Sequence, residues 1–178
     1  SALRSSRRTK PARPSPLVNH QPAGNGSVHG PVACIGMGVI GCGWATYLAG
    51  QGVNVRAWDP DPDAGSRLER TLEAAWPAMT ELGLATGGSP DRVTLCDSAE
   101  AAVDGATFVQ ENSPERLDLK QQLLADLDRT VDPTALIASS TSGYRVSELT
   151  SECRVAPERV IVGHPFNPVY LLPLVEVV

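Results

Sequence analysis

The sequence predicts an α/β protein with a doubly wound, mostly parallel sheet. Three observations carry that expectation: short apolar runs alternate with amphipathic helical stretches from Pro31 to the last residue, a glycine-rich turn follows the first run, and an acidic residue closes the second. Strands that alternate with helices form a parallel sheet covered on both faces.

Val32-Ala33-Cys34-Ile35 is a buried strand ending at Gly36, and Val39 to Gln51 is a helix of small apolar residues stopped by Gly52. Val53 to Trp58 is the second strand, ended by Asp59-Pro60. Asp61 to Leu82 reads as a long helix with Leu68, Leu72, Ala75 and Met79 on one face and Pro77 as a candidate bend. Val93 to Cys96 is a strand, Ser98 to Val103 a short helix and Thr107 to Gln110 a strand. Ser113 caps the next helix with Pro114 at its first position, and that helix runs to about Thr130 with Leu117, Leu124 and Leu127 inward. Ala135 to Ala138 is a strand, Val146 to Thr150 a helical turn, Val160 to Gly163 a strand and Leu172 to Val178 a final apolar strand.

Residues 1–30 differ in kind. They carry Arg4, Arg7, Arg8, Lys10 and Arg13, no acidic residue and several Pro, Ser and Gly, so they read as a disordered basic tail in which His20 and His29 are solvated. Residues 31–178 then hold ten basic against twenty acidic side chains, a net charge of −10. That charge, with only 4% aromatic residues, argues against nucleic acid and anionic membrane as partners. Cys34, Cys42, Cys96 and Cys153 form no C-x-x-C pair, so neither a metal site nor a disulfide framework is expected, and reduced thiols suit a cytoplasmic protein. Trp44, Trp58 and Trp76 read as packing residues.

The turn Gly36-Met37-Gly38-Val39-Ile40-Gly41 is a G-x-G-x-x-G motif between a strand and a helix, with Asp59 23 residues after Gly36 at the end of the second strand. This context makes it a Rossmann-type dinucleotide site. Gly36 allows the tight turn, Gly38 lets the pyrophosphate approach the backbone of Val39 and Ile40, and Gly41 lets helix and strand pack closely. The helix N-terminus favours the phosphates. Asp59 is expected to accept the adenosine ribose hydroxyls. Asp61 and Asp63 follow with no basic residue directly after the strand, which predicts NAD rather than NADP.

Three later segments resemble the 3-hydroxyacyl-CoA dehydrogenase family over residues 31–178: Ala138-Ser139-Ser140-Thr141-Ser142, His164-Pro165-Phe166-Asn167-Pro168, and Pro173-Leu174-Val175-Glu176. The wording from His164 to Glu176, with Gln110-Glu111-Asn112-Ser113-Pro114-Glu115, is most similar to the L-carnitine dehydrogenase branch. Pro165 stands where the acyl-CoA enzymes tend to have a second Phe. A histidine at a strand end suits the base that takes a hydroxyl proton, and a carboxylate on the next strand suits its orienting partner. The resemblance implies the same pair, His164 and Glu176. It further implies Ser142 as the serine on the reacting oxygen, with Ser139 and Ser140 as near alternatives, and Asn167 beside the nicotinamide and the histidine. Glu115 and Lys120 match positions near the nicotinamide ribose. A buried Glu176 would require a partner.

These readings predict the NAD-binding part of an oxidoreductase that takes a hydride from a secondary alcohol, L-carnitine to 3-dehydrocarnitine. The alternatives are a 3-hydroxyacyl-CoA dehydrogenase of fatty acid oxidation, with Arg67 and Arg70 as candidates for the CoA phosphates, and a non-catalytic dinucleotide-binding fragment. The resemblance also implies a following helical domain that completes the substrate pocket, forms a homodimer and adds a catalytic asparagine. The chain is therefore expected to be a fragment, weakly NAD-binding and poorly active alone, with apolar surface exposed where that domain would dock.

Overall fold

The computed structural model describes residues 30–178; the basic tail expected over 1–30, with His20 and His29, lies outside the described residues but for Gly30. The strands are β1 (Val32–Ile35), β2 (Val55–Trp58), β3 (Val93–Leu95), β4 (Phe108–Glu111), β5 (Leu136–Ser139), β6 (Val160–Pro165) and β7 (Val175–Val177). The helices are α1 (Val39–Gly50), α2 (Ala64–Glu81), α3 (Ala99–Val103), α4 (Leu117–Thr130) and α5 (Val146–Leu149). The sheet order is β3-β2-β1-β4-β5-β6-β7. All neighbours pair in parallel except β6 and β7, which run antiparallel.

The alternation of side chains along β1 splits the core in two. Ala33 and Ile35 join Val109, Leu124, Leu127, Ile137 and Leu149 on the face covered by α3, α4 and α5. Cys34 joins Cys42, Ala45, Val55, Ala57 and Leu68 on the face covered by α1 and α2. Each buried Leu or Ile contributes about 1.5–3 kcal/mol of transfer free energy. Helix α1 lies close to the sheet because its inward residues are small; a Cβ on Gly41 would stand 1.8 Å from the Gly36 carbonyl oxygen.

Several boundaries differ from the sequence expectation. Helix α4 starts at Leu117 with Arg116 before it, not at Ser113 and Pro114, because Ser113 turns inward and gives both its N–H and its hydroxyl to Glu111. Helix α2 begins at Ala64, after the Asp59 and Asp61 side chains accept the N–H groups of Asp61 and Asp63 in successive turns. The apolar run from Leu172 yields only a three-residue strand, since residues 166–174 form a loop that returns the chain to pair with β6. Strand β6 continues past Gly163 to Pro165, which places His164 within the sheet. Phe166, Leu172, Leu174, Val177 and Val178 are exposed along this edge.

Candidate active site

The order β2-β1-β4 puts the topological switch between β1 and β4, where a parallel sheet opens its ligand crevice. The end of β1 delivers the glycine turn to that side, and the ends of β2, β4, β5 and β6 deliver polar residues.

Gly36 closes β1 with φ of +90°, and a Cβ there would stand 2.7 Å from the backbone of Asn112. Only glycine fits both constraints. A Cβ on Gly38 would meet nothing within 4 Å, so open space lies above the turn. No side chain caps α1 and no acidic residue occupies its first turn, leaving its leading N–H groups to an anion. Asp59 sits at the end of β2 and accepts the Met37 N–H at 2.6 Å through Oδ2, with the Asp61 N–H at 2.8 Å on Oδ1. It therefore braces the glycine turn while keeping lone pairs for another donor. A cavity of about 580 Å³ runs from Gly36 and Gly38 past Asp59 to Leu119 and Leu123, with Trp58 as an aromatic wall. A phosphate-sized opening over free helix N–H groups, a carboxylate and an apolar slot beyond fit an adenine dinucleotide.

The sequence places no basic residue just after Asp59, but the fold does. Arg67 reaches back from α2 and donates to Asp61 Oδ2 at 2.7 Å and to the Met37 carbonyl at 3.1 Å. Its guanidinium lies 3.8 Å from Asp59 Oδ1.

A second cavity, of about 310 Å³, is lined by Ile40, Asn112, Glu115, Ser140, Ser142 and His164 among others. Register makes His164 and Glu176 directly opposed residues of β6 and β7, and His164 Nδ1 lies 3.0 Å from Glu176 Oε2. Although Glu176 sits among apolar residues, its side chain is 63% exposed and that of His164 31%, because β7 is the edge strand. Ser139 is absent from the cavity lining and donates to buried Glu111, so the serines that line the cavity with His164 are Ser113, Ser140 and Ser142.

Glu115 projects from the β4–α4 turn toward the β5 loop. Its Oε1 accepts Thr141 Oγ1 at 2.6 Å, Ser142 N–H at 3.0 Å and Gly143 N–H at 3.1 Å. Partial burial works to raise its pKa, but the bonds from Thr141 and Ser142, the nearby Lys120 and the Gly143 N–H together hold it below the usual carboxylate value. Lys120 is not on a helix surface: it is 1% exposed and its Nζ contacts Glu111 Oε1 at 3.0 Å, Oε2 at 3.1 Å and the Ser113 carbonyl at 3.1 Å. Its distance to Glu115 Oε2 is 3.7 Å.

Asn167 is not drawn to His164. It is exposed and lines a third cavity, of about 440 Å³, with Val39, Arg67, Arg70 and Tyr170. Two groups went unassigned in the sequence. Glu111, fully buried at the tip of β4, ties Ser113, Lys120 and Ser139 together. Asn112 accepts Ser140 Oγ at 2.7 Å while Ser140 Oγ accepts Gln110 Nε2 at 2.8 Å. The signal for Glu111 was present: a carboxylate closing an apolar strand, with a lysine nine residues on.

This fold and these crevices define a dinucleotide-binding α/β domain. The chain belongs to the family described as 3-hydroxyacyl-CoA dehydrogenase, NAD binding domain, whose model matches residues 31–178, and NAD is its cofactor. It is 56% identical over 147 residues to L-carnitine dehydrogenase of Streptomyces coelicolor, covering 83% of this chain and 46% of that protein. It is 50% identical over 146 residues to L-carnitine dehydrogenase of Pseudomonas putida, covering 82% and 45%. Among solved structures it resembles 5-formyl-3-hydroxy-2-methylpyridine 4-carboxylic acid 5-dehydrogenase, an NAD-dependent dismutase, with TM-score 0.75 and 34% identity over 83% of this chain and 48% of that one. It also resembles 3-hydroxybutyryl-CoA dehydrogenase of Escherichia coli K12, with TM-score 0.74 and 29% identity over 83% and 32%. The chain thus spans less than half the length of these relatives. Among the described residues, no helix is long and apolar enough to cross a membrane.

Proposed function

We propose that this domain serves an NAD-dependent dehydrogenase that oxidises the 3-hydroxyl of L-carnitine to give 3-dehydrocarnitine. The observation that carries the chemistry is the His164–Glu176 contact of 3.0 Å at a cavity shared with Ser142 and beside the glycine turn. The substrate assignment rests on the L-carnitine dehydrogenases at 50–56% identity.

In this reading Gly36, Gly38, Val39, Ile40 and Gly41 would hold the pyrophosphate of the dinucleotide and Asp59 its adenosine ribose. Bound NAD+ supplies the hydride acceptor. With Nδ1 protonated, His164 donates to Glu176, which fixes the tautomer and leaves Nε2 free to take the hydroxyl proton. Glu176 then stabilises the imidazolium. Ser142 donates to the reacting oxygen and orients it. Glu115, anionic and locked by the β5 loop, holds Ser142 in place and faces the nicotinamide ribose. Lys120 acts through Glu111 and Glu115 rather than on the cofactor. Asn167 reaches the nicotinamide side only if its loop shifts toward His164. The exposed Phe166 ring, 6.1 Å from the His164 ring, offers a face suited to a quaternary ammonium. The location is proposed as cytoplasmic, in keeping with the free cysteines among the described residues. A helical domain beyond this chain, and a homodimer formed through it, follow the same proposal; the exposed apolar edge from Phe166 to Val178 suits such a cover.

A second reading, a 3-hydroxyacyl-CoA dehydrogenase, finds support in Arg70 and Asn167 lining the third cavity beside the turn. Steady-state assays with L-carnitine and with 3-hydroxybutyryl-CoA, on the longest product of the encoding gene, separate the two. The proposal predicts kcat/KM at least tenfold higher for L-carnitine. The reverse order overturns the substrate assignment.

A further inference from the structure

We propose that Asp61 and Arg67 form a cofactor-choice device: Asp61 holds the Arg67 guanidinium beside Asp59 but away from the ribose, withholding from NADP the arginine that would receive its 2′-phosphate. The proposal rests on the reading of Asp59 as the ribose acceptor.

Acidic residues alone do not describe this corner. Arg67 enters it from α2, and its three nitrogens all face partners: Nε the Met37 carbonyl at 3.1 Å, Nη1 Asp61 Oδ2 at 2.7 Å, and Nη2 Asp59 Oδ1 at 3.8 Å. Asp59, Asp61 and Arg67 line one wall of the 580 Å³ cavity with Gly38. A guanidinium so close to a ribose acceptor is the fork that binds a phosphate. In this arrangement Nη1 is committed to Asp61, and two carboxylates face one guanidinium. The Asp63 N–H, then Arg67, keep Asp61 below the usual carboxylate range, and the bond to Asp61 is the main cause that raises Arg67. Both are therefore charged at neutral pH. Removing the Asp61 charge frees Nη1 and leaves one carboxylate against one guanidinium. Asparagine is the suitable replacement, because its carbonyl can still accept the Asp63 N–H that Asp61 Oδ1 accepts at 3.0 Å.

The test is calorimetric binding of NADH, NADPH, 5′-AMP and 2′,5′-ADP to the 178-residue chain and its variants. The 2′,5′-ADP arm reads the 2′-phosphate without any turnover. Wild type is expected to prefer NADH over NADPH. In Asp61→Asn that preference falls at least tenfold with tighter 2′,5′-ADP binding, and in Asp61→Asn/Arg67→Met the gain is lost. An unchanged preference in Asp61→Asn overturns the proposal, and Asp61→Ser reads the same ratio should the first variant melt early. A gain that survives in the double variant also overturns it, since simple repulsion by Asp61 would then suffice. Asp59→Asn tests the underlying reading separately: NADH affinity retained within threefold removes Asp59 as the ribose acceptor whatever Asp61 does.

Discussion

At the scale of single residues, His164 is held by register. Antiparallel pairing sets it opposite Glu176, so the imidazole finds its carboxylate without help from a loop. The pair stands near the surface, and an exposed pair of this kind contributes little to stability. Its value is in orientation. Replacing His164 by Gln is expected to lower kcat about 10²–10⁴-fold, the range for a lost general base, while NADH affinity stays within threefold of wild type. Glu176→Gln is expected to cost less, with KM unchanged. Equal loss of turnover and of NADH affinity in His164→Gln, measured by assay and titration together, would assign the histidine a structural role instead.

The same scale shows what a sequence yields. His164 and Glu176 were readable as a candidate pair because a strand-end histidine and a carboxylate on the next strand suit a base and its orienting partner, whereas Ser142 and Glu115 were read from the family resemblance. Three of them, Ser142, Glu115 and His164, meet at one cavity. Arg67 was not legible as a neighbour of Asp59, since eight residues and a helix start separate them. The burial of Lys120 was not legible either, because its partner, Glu111, lies on a different element. Glu176 lies among apolar neighbours in the sequence, yet its place on an edge strand leaves it open.

At the scale of elements, α4 links the site to the core. Its N-terminal turn carries Lys120 to Glu111, and its C-terminal turn carries Asp128, buried at the other end of the helix. Asp128 accepts the N–H groups of Arg154, Val155 and Ala156 at 2.7–3.0 Å and pairs with Arg159 at 3.4 Å. Burial works to raise its pKa, yet the backbone N–H bonds of Val155, Ala156 and Arg154 and the Arg159 contact bring it below the usual value. A lowered native pKa gives stability that is complete above the unfolded value of about 3.9 and is lost as the pH falls through the native one. Urea unfolding across pH 2–7 should therefore show an acid limb that Asp128→Asn flattens. The variant is expected to cost about 3–5 kcal/mol at neutral pH, as for a broken buried pair. An undiminished unfolding midpoint would show that these bonds do not hold the loop. Strand positions were readable to within one to three residues, because parallel strands are near-continuous apolar runs. The start of α4 was not: a Ser-Pro pair resembles a cap, and only the fold reveals that Ser113 answers to Glu111.

At the scale of the whole molecule, the crevice at the switch between β1 and β4 joins two tasks. Toward β2 it offers a long slot with an acid at the ribose end. Toward β6 it offers a small polar chamber with a histidine and a serine. Asn112 and Ser113, on the turn that follows β4, line both, and Ile40, in the first turn of α1, lines the second. In the proposed reading the glycine turn would set where one end of the cofactor sits and, through α1, how close the other end comes to His164.

NAD is proposed to span these two chambers. The most direct measurement is a crystal structure of the chain soaked with NAD+. The expected result is the pyrophosphate within hydrogen-bond distance of the Gly38–Ile40 backbone N–H groups, the adenosine ribose on Asp59 and the nicotinamide ring in the chamber of Ser142 and His164. A dinucleotide bound with its nicotinamide outside that chamber, or away from the glycine turn altogether, would contradict it.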